Sequence, residues 1–174
     1  HADTRQCAQA CRLPYELVVD GEVRDVGDKA YLLSPQDLAA YDLIDDLADA
    51  GVCSFKIEGR LKSAHYVAAT TQTYRAAIDA ATRHQPFRLS DQQALDLAQS
   101  FSRGFTHGFF DGVNHQQLVH ARFPKSRGIK IGAVTAKTSR GLIVQLTNSS
   151  LITHHSSLKP NDGLVFDEGH PEQD

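Results

Sequence analysis

The 174-residue sequence has no methionine, only three cysteines and no net positive charge. Three cysteines are too few for a disulfide-stabilised scaffold, so a reducing cytoplasm is the expected location. No apolar run approaches the ~20 residues that cross a bilayer. No basic and then apolar leader opens the chain, so nothing predicts membrane insertion or secretion. Because the chain starts at His1 and lacks methionine, we expect it to be a segment of a longer product.

A net charge of −3 gives no global attraction to nucleic acids, but residues 115–130 differ from this average. The stretch contains basic and imidazole side chains and no carboxylate. These side chains are His115, His120, Arg122, Lys125, Arg127 and Lys130. Such a stretch can contact phosphate, and the candidate RNA-binding residues are Arg122, Lys125 and Arg127. The alternative is a solvated loop between domains.

The first regular region predicts a β-hairpin. Two strand-like runs, 15–19 and 22–26, flank Asp20-Gly21, a dipeptide typical of hairpin turns. Residues 31–33 predict a further short strand.

The following region predicts a helix with defined ends. Ser34 has the character of an N-cap, Pro35 suits the first helical position, and Asp37 completes a capping box. Gly51 is the residue type that closes a helix at its carboxyl end.

A strand and a second helix come next. In residues 52–58 apolar and polar side chains alternate, which predicts a strand with Cys53 in its apolar layer. Residues 63–83 have side chains at helical spacing, which predicts a helix. Its predicted inward-facing residues are Val67, Thr71, Tyr74 and Ile78. The alternation of strand and helix over 31–83 is typical of an α/β barrel or an open α/β sheet.

The pattern changes in the second half of the chain. Residues 85–127 predict a linker with one helix, which opens at a capping box formed by Ser90 and Gln93. Short strands are predicted at 129–136, 142–147, 151–155 and 164–166. We therefore predict an α/β plus β fold: the last strand–helix units of a TIM-like barrel in residues 1–84, the linker, and the start of a small β-barrel in residues 128–174.

The stretch 56–60 carries the strongest chemical signal. Lys56, Glu58 and Arg60 alternate with other residues at the end of the predicted strand. If helices cover the Phe55 side, these charges face the barrel interior near the carboxyl end of the strand, where barrel enzymes have their sites. An ion pair there would be costly unless it is used. The three residues are therefore candidate catalytic residues, and the alternative is a buried network that only holds the barrel together.

Cys7 and Cys11, the latter followed by Arg12, form a second candidate site. Two thiols four residues apart can bind one metal centre. A zinc site would need a second pair, and an iron–sulfur cluster needs four ligands. On spacing alone, two ordinary buried thiols are the alternative.

These segments resemble a known bacterial family. The Cys7-x-x-x-Cys11-Arg12 element and the segments 31–38 and 50–63 are similar to motifs of peptidase family U-32, the collagenase-like proteases. Further similar segments are 66–68, 74–75, 102–106 and 159–164. In segment 50–63 the similarity includes Lys56, Glu58 and Arg60.

The resemblance implies a barrel-like N-terminal domain and, in many members, a C-terminal β-domain. A few members are assigned collagen-degrading activity, whereas others are implicated in hydroxylating tRNA, ribosomal RNA or a quinone precursor. Several bind a 4Fe-4S cluster through four cysteines. Cys7 and Cys11 fall in one element of that ligand set, and the other ligands would lie outside this segment. Many relatives have cysteine where this chain has Ala39, so either both cysteines serve or no cluster is bound.

We therefore expect an enzyme of this family, with iron–sulfur-dependent hydroxylation of tRNA or rRNA favoured over proteolysis. The sequence shows no nucleophile–base pair and no HExxH-type metal motif, which argues against a protease. The alternatives are a true protease with a protein substrate, and a module whose C-terminal β-domain binds RNA or protein through residues 115–130.

Overall fold

The computed structural model of the chain describes residues 9–147 and 158–167. Its strands are β1 (Leu17–Val19), β2 (Glu22–Arg24), β3 (Asp37–Leu38), β4 (Phe105–Thr106), β5 (Gly132–Thr138) and β6 (Gly141–Leu146). Its α-helices are α1 (Ile44–Asp49), α2 (Ala64–Thr82), α3 (Asp91–Ser100) and α4 (His115–Leu118). Short 3-10 helices span Ala10–Arg12 and Tyr41–Leu43.

The chain forms two compact units, each described by itself. The described parts of the first unit are residues 9–40, 102–127 and 164–167, and those of the second are residues 41–101, 128–147 and 158–163. Within these ranges the strands form three two-stranded sheets. The assignment to a TIM-like barrel and a small β-barrel, and the three-part division of the chain, stay predictions. In the same ranges, no helix combines the length and apolar composition that crossing a membrane requires.

The predicted hairpin of the first unit is confirmed. Strands β1 and β2 pair antiparallel, with Val18 opposite Val23. The two turn residues, Asp20 and Gly21, both have positive φ, at 54° and 83°. These angles are those of a tight turn that matches the twist of its strands, which is why an Asp-Gly pair is favoured there.

The first unit also contains a parallel pair, β3 with β4, in which Asp37 lies opposite Phe105. The N–H of Asp37 donates to the carbonyl of Gly104 at 2.9 Å. The predicted helix start at Ser34, Pro35 and Asp37 is therefore wrong. A partner 66 residues away along the chain takes the Asp37 carboxylate, so it closes no capping box.

The short strand predicted at residues 31–33 is also wrong. Tyr31 is buried, and its N–H donates to the carbonyl of Ala121 at 2.8 Å. The N–H of Ser34 then donates to the carbonyl of Tyr31 at 3.0 Å, which closes a turn. A turn with this internal hydrogen bond has no continuous strand ladder.

In the second unit, helix α1 spans Ile44–Asp49, and the predicted glycine follows its C-cap residue, Ala50. Gly51 has φ +91°, and its N–H donates to the carbonyl of Ala48 at 2.9 Å. The N–H of Val52 donates to the carbonyl of Leu47 at 2.9 Å. These two bonds form a Schellman motif, in which a glycine accepts the left-handed conformation at little cost.

Helices α2 and α3 begin as predicted. The Ser63 hydroxyl accepts a hydrogen bond from the N–H of Tyr66 at 3.1 Å. Ser90 accepts from the N–H of Gln93 at 3.2 Å, and the Gln93 side chain accepts from the N–H of Ser90 at 2.9 Å. The second arrangement is the predicted capping box, which satisfies two N–H groups that the helix leaves without partners.

The predicted inward face of α2 is wrong at Val67 and Thr71, which are exposed, whereas Tyr74 and Ile78 are half-buried. The residues that the helix buries are Thr70, Thr73, Ala77 and Ala80. Helix α2 packs against α1 and α3, which contribute the buried side chains of Ile44 and Leu95. The four buried side chains of α2 are small, and small side chains at a contact allow a short distance between helix axes.

The hairpin predicted in the second half of the chain is confirmed. Strands β5 and β6 pair antiparallel around a turn at residues 139–140, with a register shift between Val134 and Ala136. The strand predicted at 151–155 lies outside the described residues. Residues 164–166 form no strand, so that prediction is wrong, because no described strand lies alongside to pair with them.

Candidate functional site

Residues 52–58 do not form the predicted strand. A strand requires hydrogen bonds to a neighbour, and the described strands pair only within β1–β2, β3–β4 and β5–β6. The predicted alternation of burial is nevertheless present over residues 55–58. Phe55 and Ile57 are half-buried, whereas Lys56 and Glu58 are exposed.

The charges of this segment face solvent. The Lys56 Nζ and Glu58 Oε2 atoms are 3.8 Å apart, and the two side chains are 87% and 67% exposed. The prediction that they face an enclosed interior is therefore wrong for this structure, because no described strand pairs with this segment to enclose them. An exposed pair of this kind contributes about 0–1 kcal/mol, so a desolvation argument gives it no special chemistry.

Glu58 organises the turn that follows the segment. Its Oε1 atom accepts the backbone N–H of Arg60 at 2.8 Å, and its carbonyl accepts the hydroxyl of Tyr66 at 3.3 Å. Leu61 then adopts a left-handed conformation, with φ 59°. The three candidate catalytic residues thus lie together around one carboxylate that is accessible to a substrate.

The cysteines have different positions. Cys7 lies outside the described residues. Cys11 is exposed within the 3-10 helix Ala10–Arg12, and Cys53 is exposed as well. The prediction that Cys53 belongs to the core is wrong, because no sheet layer forms over residues 52–58.

The residue after Cys11 is held firmly. Arg12 Nη1 donates to the Ser34 hydroxyl and, at 3.0 Å, to the carbonyl of Pro35. Burial, and next the repulsion of the nearby Arg103 guanidinium, lower the pKa of Arg12 from its usual value. The turn that presents Cys11 is therefore fastened to the chain around Ser34 by a partly desolvated guanidinium.

Arg103 forms the best-shielded described ion pair of the first unit. Its backbone N–H donates to Asp37 Oδ2 at 2.9 Å, its Nε to the same oxygen at 3.4 Å, and its Nη2 to Oδ1. The two side chains are only 19% and 22% exposed. Arg12 contributes a second positive charge nearby, and the Asp37 carboxylate partly offsets the repulsion between the two guanidinium groups.

Neither Asp37 nor Arg103 was predicted from the sequence to take part in an ion pair. Arg103 lies in the segment 102–106 that resembled a family landmark, and Asp37 was assigned to a helix cap instead. The two segments that resemble the family, 31–38 and 102–106, contain opposite charges, which is a signal that they could pair. Asp37 and Arg103 are 66 residues apart, so no rule based on local spacing could predict their contact.

The basic stretch lies partly in the first unit, where Arg122 is not directed to solvent. Its Nε atom is 2.6 Å from Asp28 Oδ2, and its Nη2 atom is 3.4 Å from Asp167 Oδ2. The Nε contact is an ion pair without the angles of a hydrogen bond. Arg122 therefore holds the first unit together, whatever else it contacts.

The other two candidate RNA-binding residues differ from Arg122. Lys125 is exposed. Arg127 is half-buried, and its guanidinium carbon lies 4.1 Å from the centroid of the Phe123 ring, with that of Arg122 at 5.1 Å from the same ring. The structure thus brings Arg122 and Arg127 together at one aromatic ring and leaves Lys125 open to solvent.

A family model described as Peptidase family U32 matches residues 1–120. The search of solved structures found no match.

The curated proteins that are similar to the chain include a collagenase and proteins named for the hydroxylation of RNA. Collagenase from Porphyromonas gingivalis is 34% identical over 123 residues, which are 68% of this chain and 33% of that protein. The tRNA hydroxylation protein P of Escherichia coli (strain K12) is 43% identical over 94 residues, 53% of this chain and 20% of that protein. The 23S rRNA 5-hydroxycytidine C2501 synthase of the same strain is 34% identical over 153 residues, 84% of this chain and 23% of that protein. The chain therefore spans between 20% and 33% of the length of these three relatives.

Proposed function

We propose, from the premise that this chain belongs to peptidase family U32, that it is part of an enzyme that hydroxylates RNA, with a tRNA or an rRNA as substrate. The supporting observation is how far the similarity to the rRNA hydroxycytidine synthase extends. That match covers 84% of 174 residues, about 146. A continuous match of this length passes residue 120, where the family model ends, and includes the basic stretch 115–130.

The charges of that stretch support an RNA substrate. Lys125 is exposed on a segment without carboxylates, so it can contact a phosphate without competition from an acid in the same segment. Arg127 lies beside it in the sequence and is half-buried. Contacts of this kind position RNA without reading its sequence, so they favour a substrate class rather than one nucleotide.

We assign the chemical step to the surface around Glu58. Its carboxylate is exposed, accepts the Arg60 N–H and lies 3.8 Å from the Lys56 ammonium. An exposed carboxylate can accept a proton from a reacting group in contact with it. Lys56 and Arg60 add positive charge for a phosphate or a developing anion.

A 4Fe-4S cluster is the proposed cofactor, and the chain contains two of the four cysteine ligands that such a cluster needs. Cys7 and Cys11 would hold two of four positions, and the chain has a single further cysteine, in the other unit. Cys11 is exposed on a turn fastened by Arg12, so its thiol is accessible to a metal centre. When bound, a cluster of this type supplies electron transfer.

A gene deletion tests the proposed reaction. Total tRNA and rRNA from the deletion strain are digested to nucleosides and analysed by mass spectrometry. We expect one nucleoside to lose an oxygen atom, the intact gene to restore it, and the Glu58→Gln variant to fail to restore it. Unchanged RNA in the deletion strain would remove the proposal.

The cluster has its own test. Anaerobically purified intact protein should contain iron and sulfide, and Cys7→Ala and Cys11→Ala should each lose them while Cys53→Ala keeps them. Iron-free wild-type protein would rule out the cluster and leave the RNA substrate open to the first test.

Proteolysis is the second candidate, because the relatives include collagenase at 34% identity. The intact protein should then cleave gelatin, and Glu58→Gln should stop the cleavage without unfolding the protein. Cleavage that survives this change would remove Glu58 from the catalytic candidates.

A further inference from the structure

We propose that His120 is a stacking platform for an unpaired RNA base. The inference rests on the proposed function, since it names how the substrate RNA is held. It concerns one surface of the first unit, formed by His120, Phe123 and the basic side chains beside them.

The His120 and Phe123 rings form a stack. The His120 imidazole and the Phe123 ring are stacked, with centroids 5.5 Å apart and planes 20° from parallel. Arg127 and Arg122 hold Phe123 through cation–π contacts at 4.1 Å and 5.1 Å. His120 is exposed although its ring stacks on Phe123, so the imidazole remains accessible to a ligand.

The backbone around His120 is fixed on both sides. The carbonyl of Leu118 accepts the N–H of Gln36 at 2.9 Å, and the carbonyl of Ala121 accepts the N–H of Tyr31 at 2.8 Å. Ala121 is buried and has φ 64°, a left-handed conformation that costs about 1 kcal/mol or more in a residue with a side chain. The ring is therefore held in place before any ligand arrives, which reduces the entropy lost on binding.

The charge around the platform selects the ligand. Residues 112–127, the part of this acid-free stretch that belongs to the first unit, contain no aspartate or glutamate. The two carboxylates in contact with this surface, Asp28 and Asp167, are paired with Arg122. Lys125 remains exposed within a few residues of the stack. An exposed flat ring beside cationic side chains suits a base and its phosphate.

The base must be unpaired. In a duplex both faces of each base are covered by neighbouring pairs, whereas a loop or a single strand offers a free face to an aromatic side chain. Stacking of this kind tolerates any base. The platform would therefore select loops and single strands and leave the choice of nucleotide to the rest of the enzyme.

The test uses this chain and three labelled ligands: an unstructured single-stranded RNA, a duplex RNA of the same length, and heparin. Fluorescence anisotropy gives each dissociation constant. We expect His120→Ala to weaken single-strand binding about tenfold, with duplex and heparin binding unchanged. His120→Tyr, which keeps a flat ring, should bind the single strand as the wild type does. His65→Ala removes an exposed imidazole from α2 and serves as the matched control.

Two outcomes would overturn the inference while RNA binding stands: equal affinity of His120→Ala and the wild type, or equal weakening for all three ligands, which would mean a charge effect only. If the wild-type chain binds no RNA, the platform also fails. The nucleoside analysis of the deletion strain then decides separately whether the enzyme acts on RNA.

Discussion

Two ion pairs in this molecule have the same chemistry and different surroundings. Arg103 and Asp37 are 19% and 22% exposed and are joined by three contacts. Lys56 and Glu58 are 87% and 67% exposed and are joined by one contact of 3.8 Å. The first pair lost most of its hydration on folding, so each partner depends on the other, whereas water can replace either member of the second. The shielded pair should therefore govern folding, and the open pair is available for chemistry.

The largest expected effect follows from breaking the shielded pair. Asp37→Ala removes the acceptor of three Arg103 contacts and leaves two guanidinium groups near each other without a carboxylate. We expect a loss of about 3 kcal/mol in the free energy of unfolding. Urea denaturation followed by far-UV circular dichroism measures it.

The control for this change is another Arg–Asp ion pair, one that is exposed to solvent. Asp79 accepts from Arg75 one helical turn earlier on α2, with side chains 45% and 59% exposed. Asp79→Ala should cost about 0.5 kcal/mol or less. Similar losses for Asp37→Ala and Asp79→Ala would contradict the role given to burial.

The backbone beside the shielded pair gives the next effect. Gly104 has φ +93°, and a Cβ atom there would lie 2.5 Å from Gln36 Nε2. Its carbonyl also accepts the Asp37 N–H. We expect Gly104→Ala to cost about 2 kcal/mol, mainly from backbone strain, together with the displacement of the flexible Gln36 side chain.

Gly112 separates these two contributions. It has φ +106°, and a Cβ atom there would meet nothing within 4 Å. Gly112→Ala should therefore show the strain alone, about 1 kcal/mol in the same denaturation measurement. If the two alanine variants lose the same amount, the contact with Gln36 has no weight.

The same contrast explains which features could be predicted from the sequence. The starts of α2 and α3 and the turn at Asp20-Gly21 were predicted because the residues that fix them lie within a few positions of each other. The pairing of β3 with β4 was missed because its partners are distant in sequence. The residues from Ser34 to Asp37 have the pattern of a capping box, but the Asp37 carboxylate binds Arg103 instead, so no helix begins there.

The candidate site shows the same limit. The alternation at Lys56 and Glu58 was correctly predicted as one polar face, but no local pattern states whether that face is covered. Burial depends on the strands or helices placed opposite, and those are set by residues far along the chain. The His120–Phe123 stack was not predicted either, although both residues lie within the basic stretch 115–130. The backbone around His120 is set by hydrogen bonds to Tyr31 and Gln36, which are far away along the chain.

A local contact should have an intermediate effect. Ser90→Ala removes the hydroxyl that accepts the Gln93 N–H at the start of α3. Although Ser90 is exposed, we expect a loss of about 1 kcal/mol, because a backbone N–H loses its partner. Thermal unfolding of Ser90→Ala and Gln93→Ala, each of which breaks one half of the capping box, measures it. A loss below that of Asp79→Ala would mean that exposure alone sets the size of the effect.

The smallest effect is expected at the open pair. Glu58→Gln removes its charge but keeps an oxygen that can accept the Arg60 N–H, so the free energy of unfolding should fall by less than about 0.5 kcal/mol. Glu58→Ala loses that acceptor too and should cost about 1 kcal/mol in urea denaturation. A loss for Glu58→Gln as large as that for Asp37→Ala would mean that the carboxylate is shielded from water in solution. The enclosed ion pair expected from the sequence would then be restored, and with it the desolvation argument for catalysis.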